Sequence, residues 1–295
     1  MRCYPPPEQW VTRAQVWLGT LVEIALPQDE ATEASFAAGF AAIAHVHRRM
    51  SAHDPASDLA RIARSAHRQA VIVDRDTMAV LQLARDLSQA TQGRFDVTVP
   101  RRHGPGRRRP ARRGGMSALQ LERGRLVRTD RSLALDLSGI AKGHAVDRAV
   151  AALRRAGGSA GLVNAGGDLR VFGAGAWLPV RLRVPQAPSL ALRCFDIRDA
   201  AVASSADYFR DGRPALFDPC HGRTRTFRDS VSVVAPTCAL ADALTKVVAL
   251  MPARCAPLLA RFGAHAFRLV ANGRDARTTC HASTQYLRLA AEAAA

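Results

Sequence analysis

Between Gln15 and Val270 the strand-like stretches outnumber the helix-like ones and do not alternate strictly with them. That order points away from a doubly wound parallel sheet and toward an α+β fold. Gln15 to Leu26 is apolar and β-branched up to Pro27, so it reads as one strand. Further strands are expected at Ser132–Leu137, Ala160–Asn164, Leu169–Phe172, Leu178–Val184, Leu192–Ile197, Ala200–Ser204, Val231–Ala235 and Ala266–Val270. A first helix follows Asp29, its N-cap, with Phe36, Phe40, Ile43 and Met50 near one face. A second opens at Asp74 or Asp76, carries Val80, Leu83 and Leu87, and is stopped by Gly93. A third begins near Gly139, shows Val146, Val150 and Leu153, and ends at Gly157-Gly158. Pro236-Thr237 introduces a fourth, with Leu240, Leu244, Val247 and Met251 on one face, which stops before Pro252. A short fifth covers Pro257–Phe262.

The chain has 295 residues, enough for one large domain or two of roughly 150. With 48% apolar residues and no apolar run near the 18 or more that cross a bilayer, it reads as a globular protein that does not insert into membranes. Lys+Arg exceeds Asp+Glu by 42 − 25 = 17, yet only Lys142 and Lys246 are lysines. An arginine excess of that kind is first a mark of codon usage, and it makes the two lysines informative. Arg101, Arg102, Arg107, Arg108, Arg109, Arg112 and Arg113 crowd a Gly/Pro-rich loop spanning 100–115. That loop lacks aromatic residues on which bases stack, so no nucleic-acid partner is expected. The first residues, Met1-Arg2-Cys3-Tyr4-Pro5-Pro6-Pro7, show no apolar export segment, and the expected location is cytoplasmic. Six cysteines (Cys3, Cys194, Cys220, Cys238, Cys255, Cys280) lack zinc-site spacing and read as reduced thiols, with a Cys220-His221/Cys280-His281 metal site the outside alternative. His45 and His47, two apart on a helix, point to different sides and do not share a metal.

Three segments carry chemistry. Asp136-Leu137-Ser138-Gly139-Ile140-Ala141-Lys142 is a strand passing through Ser-Gly into a helix, where free N–H groups attract anions. A lysine in that first turn opposes the helix dipole unless an anion joins it. The bland alternative has Lys142 reaching solvent or a nearby carboxylate. Val163-Asn164-Ala165-Gly166-Gly167-Asp168 is either a loop packed on a flat ligand or an ordinary hairpin turn. Asp242 and Lys246, four apart, are either an exposed helix ion pair or a site in which Asp242 offers oxygen to Mg²⁺.

In this order and spacing these segments resemble the ApbE family of FAD:protein FMN transferases. The likeness includes Trp17-Leu18-Gly19-Thr20, Met50 through Leu59, Gly93-Arg94-Phe95-Asp96, Asp136 through Asp147, Val163 through Asp168, Phe217-Asp218-Pro219 and Ala241 through Thr245. The resemblance implies a T-fold-like, bilobal α+β fold with a mixed sheet and flanking helices. It places one domain at 13–290, between an extension at 1–12 and a tail at 291–295. It implies transfer of FMN from FAD onto a Ser or Thr hydroxyl of an acceptor flavoprotein, with Mg²⁺ at the diphosphate and AMP released. By family position Gly139, Asp242 and Thr245 face the metal, while Met50, Phe95, Asp96, Val97, Asp136, Lys142 and Phe217 line the nucleotide.

The chain departs from that pattern at two places. Ala215 stands where the family has the His thought to act as base, and His221, three residues beyond Asp218, is the substitute at hand. Lys246 stands where a Thr more often completes the metal site, and an ammonium cannot ligate Mg²⁺. The expected catalytic set is therefore Asp242, Lys246 and His221. The alternative function is an FAD-binding carrier or sensor without transfer.

Overall fold

The segment from Gln15 to Leu26 is two strands rather than one. Leu18 and Gly19 both take positive φ, 56° and 73°, and reverse the chain in a two-residue turn. Asn-Gly or Asp-Gly is the usual signature there, so Leu-Gly hid the turn. This computed structural model describes residues 9–100, 115–173, 177–184, 187–206, 216–225, 229–269, 276–278 and 287–289. In chain order the strands are β1 (Trp10–Trp17), β2 (Thr20–Pro27), β3 (Ala70–Ile72), β4 (Thr98–Pro100), β5 (Leu119–Glu122), β6 (Arg125–Arg128), β7 (Leu133–Leu135), β8 (Gly161–Ala165) and β9 (Asp168–Phe172). They continue as β10 (Leu178–Val184), β11 (Ala187–Ile197), β12 (Ala201–Ser205), β13 (Leu216–Asp218), β14 (Arg223–Arg225), β15 (Ser230–Ala235), β16 (His265–Leu269), β17 (Ala276–Thr278) and β18 (Leu287–Leu289). The α-helices are α1 (Glu33–Met50), α2 (Asp58–Arg64), α3 (Arg75–Ala90), α4 (Ala141–Arg155), α5 (Cys238–Leu250) and α6 (Ala256–Arg261).

One eight-stranded sheet, ordered β1-β2-β8-β9-β12-β15-β16-β17, organises the fold. All pairings among the described strands are antiparallel, so the α+β class holds while the mixed sheet that the resemblance implies is corrected to an antiparallel one. Both faces are covered, and side chains alternate between two cores as the two-residue strand period requires. Val163, Ala203 and Val233 join α1, α4 and α5 in the larger core. Leu162, Val202 and Val234 face a second sheet, β10-β11-β18, with Phe195 stacked on Phe267. Burial on both sides is why β15, Ser-Val-Ser-Val-Val-Ala, is buried along its whole length.

The helix caps correct one expectation. Thr32 rather than Asp29 caps α1, its side chain accepting from the Ser35 N–H, while Asp74 caps α3 and Thr237 caps α5 as the sequence predicts. A three-stranded sheet β3-β6-β5, the strand β4 and the seven-residue α2 were not anticipated, whereas β7 falls inside the strand expected at Ser132–Leu137. The β4–β7 pair continues into the site, because the Asp136 N–H donates to the Val97 carbonyl at 2.8 Å just before α4 begins.

Candidate functional site

Helices α4 and α5 meet at their N-termini because a glycine lets them. A Cβ on Gly143 would lie 2.2 Å from the carbonyl oxygen of Cys238, so no other residue permits this approach. Each helix then caps the other. Asp147 of α4 accepts from the Cys238 and Ala239 N–H groups at the start of α5, both at 2.9 Å, and also pairs with Arg170 at 2.6 Å. Asp242 of α5 accepts from the Gly143 N–H in the first turn of α4 at 3.3 Å. At the α4 tip the Gly143 N–H is thus engaged by a carboxylate of the chain itself, and the Ile140 and Ala141 N–H groups donate to the Leu137 carbonyl, so these three are not free for an anion.

The two lysines supply the positive charge instead. Lys142 bonds to Asp168, which the tight Gly166-Gly167 turn between β8 and β9 presents; both glycines have positive φ. Lys246 bonds to the Asp242 carboxylate and, at 3.0 Å, to the Asp242 carbonyl. The carboxylates lie behind the amines. Asp168 and Asp242 side chains are 2% and 0% exposed, whereas Lys142 and Lys246 are 33% and 21% exposed, so the lysine is the more accessible partner of each pair; burial foremost, with the Lys246 charge beside it, still draws the Lys142 amine below its ordinary pKa. An exposed helix ion pair at Asp242–Lys246 is thus ruled out. α5 is buried almost all round, and Asp242 sits wholly inside. Burial alone would raise the Asp242 carboxyl pKa; Lys246 and Lys142 outweigh it and hold the group below the usual carboxylate range.

The remaining site residues fall into two groups. Gly139 lies against Lys246, where an added Cβ would meet Cε at 3.3 Å. Thr245 is buried and bonds to the Asp242 carbonyl and to Ser205, both at 2.7 Å. Phe95, Asp96 and Val97 adjoin Asp136 through the bond from Asp136 to Val97. Phe95, Val97 and Met50 are core residues, Asp96 is held by Thr98 at 2.7 Å, and Asp136, exposed, accepts from the Ser138 N–H at 2.9 Å. Phe217 and His221 belong to the other group, on the β13–β14 hairpin, which pairs with no further strand among the described residues. There the His221 Nδ1 lies 2.8 Å from buried Asp218; burial foremost would raise this carboxyl, but its bonds to the His221 ring and N–H, with the His221 and Arg225 charges, together hold it below its ordinary pKa. Ala215, Cys280, His281 and the Arg101–Arg113 loop lie outside the described residues.

Asp147, Asp168 and Gly143 lie in segments the sequence singles out but are not among the site residues expected from it, and Ser205 lies outside every such segment. Asp147 is the lone acidic residue of α4, a usable signal; nothing local marks Ser205. A separate cleft of about 660 Å³ lies between α1, α3 and α4, lined in part by His45, Asp74, Asp76 and Arg148. His45, Asp74 and Asp76 bring ligand atoms within 4.8 Å of one another, but Arg49 and Arg148 already face those carboxylates at 3.7 and 3.0 Å. His47 instead meets Trp17, so the two histidines do point apart. No described helix is long and apolar enough to cross a membrane.

The sequence model of the ApbE family matches residues 18–267. A curated relative, the FAD:protein FMN transferase of Vibrio cholerae, is 30% identical, with 68% of each chain covered. Among solved structures, flavin transferase ApbE from Vibrio cholerae superposes with a TM-score of 0.77 at 23% identity, covering 92% of this chain and 97% of that one. The ApbE protein of Thermotoga maritima gives 0.78 at 24% identity over the same shares, and the Pseudomonas stutzeri flavinyl transferase ApbE gives 0.75 at 22%, over 92% and 94%. At these identities the superpositions speak for the fold.

Proposed function

The chain belongs to the ApbE family, and from that premise we propose that it is an FAD:protein FMN transferase, moving FMN from FAD onto a Ser or Thr hydroxyl of an acceptor flavoprotein. One observation carries the reading into this chain's own residues: its two lysines, Lys142 in the first turn of α4 and Lys246 in the third turn of the adjoining α5, are each bonded to a buried carboxylate. That arrangement suits a diphosphate, whose charge must be offset before an oxygen nucleophile can approach phosphorus. In the reaction the acceptor oxygen bonds to the phosphorus of the FMN half. The bond from that phosphorus to the bridging oxygen breaks, and its electron pair leaves with AMP. The hydroxyl proton passes to a base, a role we assign to His221 because Asp218 orients its ring. Phe95, Asp96, Val97, Asp136 and Phe217 are proposed to border the nucleotide, with Met50 supporting them from the core.

Incubation with FAD and proven acceptor flavoproteins tests the reading. Covalent flavin on the acceptor with equimolar AMP is expected. FAD that binds and stays intact with every acceptor would establish the carrier alternative instead.

A further inference from the structure

We propose that the Lys246 ammonium replaces a divalent cation at the diphosphate, so that this chain binds FAD without metal; the inference rests on the FMN-transfer reading above. Mg²⁺ needs near-octahedral oxygen donors, with one or two carboxylates among them. The residues at the expected position do not fit it. One oxygen of the Asp242 carboxylate is bonded to Lys246 and the other accepts from the Gly143 N–H. The Asp242 carbonyl receives both the Lys246 amine at 3.0 Å and the Thr245 hydroxyl at 2.7 Å. Thr245 is further joined to Ser205. The Lys246 stem lies on Gly139, so its amine occupies the space among the three residues named for the metal. A dication could enter only by expelling Lys246 from the Asp242 carboxylate, and the Lys142 charge would still oppose it there.

The ammonium offers what the diphosphate needs. It carries three donors, and Asp242 takes two of them, leaving one for a phosphate oxygen. Its charge is held in place by the helix that also carries its counter-ion. The tether removes the need to recruit a second, diffusing ligand.

FAD affinity, read from quenching of flavin fluorescence, tests this with the intact protein in EDTA and again in excess Mg²⁺. The wild type is expected to bind equally in both, a comparison that needs no variant to fold. Lys246→Thr and Lys246→Met should each weaken binding about 10–100-fold in EDTA, the loss of a charge-assisted contact. Mg²⁺ should restore only the Thr variant, which regains an oxygen donor. Wild-type binding that collapses in EDTA and returns with Mg²⁺ overturns the inference while leaving the transfer reading intact. No FAD binding under either condition overturns the transfer reading, and this one with it.

Discussion

Asp218 accepts from the main-chain N–H groups of Cys220 and His221 at 3.1 and 3.2 Å as well as facing the His221 ring. An ionised carboxylate is an acceptor only, so His221 must donate from Nδ1, and Nε2 is left as the nitrogen able to take a proton. If that nitrogen serves the acceptor hydroxyl, His221→Ala should slow AMP release about 10²–10⁴-fold in single turnovers while FAD affinity keeps its wild-type value. An unchanged rate would remove His221 from the reaction. Cys238 invites the opposite reading. A thiol at a helix N-terminus is often reactive, but burial foremost, then Asp147 and Asp242, push this one well above its ordinary pKa. Iodoacetamide followed by peptide mass spectrometry should label exposed Cys220 in the native protein and Cys238 only after unfolding. Among single residues, the scarcity of lysine made Lys142 and Lys246 conspicuous. Their carboxylate partners were less so, because Asp168 arrives from a hairpin 26 residues further on.

Contact between α4 and α5 depends on two features, the bare backbone at Gly143 and the Asp147 cap. Gly143→Ala should cost about 1–3 kcal/mol in chemical denaturation, since the new methyl group must force the helices apart. Asp147→Ala leaves the Cys238 and Ala239 N–H groups at the start of α5 without their acceptor and strands Arg170, although Thr237 still caps the helix, and a loss of about 1–3 kcal/mol is expected from the same measurement. Asp76, in the first turn of α3, ties that helix to His144 and Arg148 of α4 at 3.4 and 3.0 Å. Burial would raise its pKa, but the His144 bond, Arg148 and the nearby imidazoles hold it below its ordinary value. A carboxylate depressed in the folded state contributes fully above an unfolded pKa of about 4, and that contribution fades as pH falls through the folded value. Thermal melting below pH 4 should therefore be less steep in pH for Asp76→Asn than for the wild type. At this scale α5 was legible at both ends, through Thr237 and Pro252. Its depth of burial was not, although Cys-Ala-Leu-Ala-Asp-Ala-Leu-Thr-Lys-Val-Val-Ala-Leu is apolar nearly all round and such helices lie inside. The β3, β5 and β6 strands are only three or four residues long, too short to establish a period.

The whole molecule is a sheet with two working faces, and this explains what patterning could and could not reveal. Strands buried on both sides lose the polar alternation that would announce their register, yet their apolar runs and the absence of strict alternation with helices still fix an α+β fold. Long-range pairings such as β12 beside β9 carry no local mark. The same architecture returns the chain from β15 through Thr237 into α5 on the face where α4 already lies, bringing two amines together from positions 142 and 246. The central claim is that this meeting point holds a dinucleotide diphosphate, and a crystal structure of the protein grown with FAD and without metal tests it most directly. The account predicts diphosphate oxygens within hydrogen-bond reach of both lysine amines, with Asp242 and Asp168 still behind them. FAD bound elsewhere, or a metal ion between Asp242 and the diphosphate with Lys246 turned away, would contradict it.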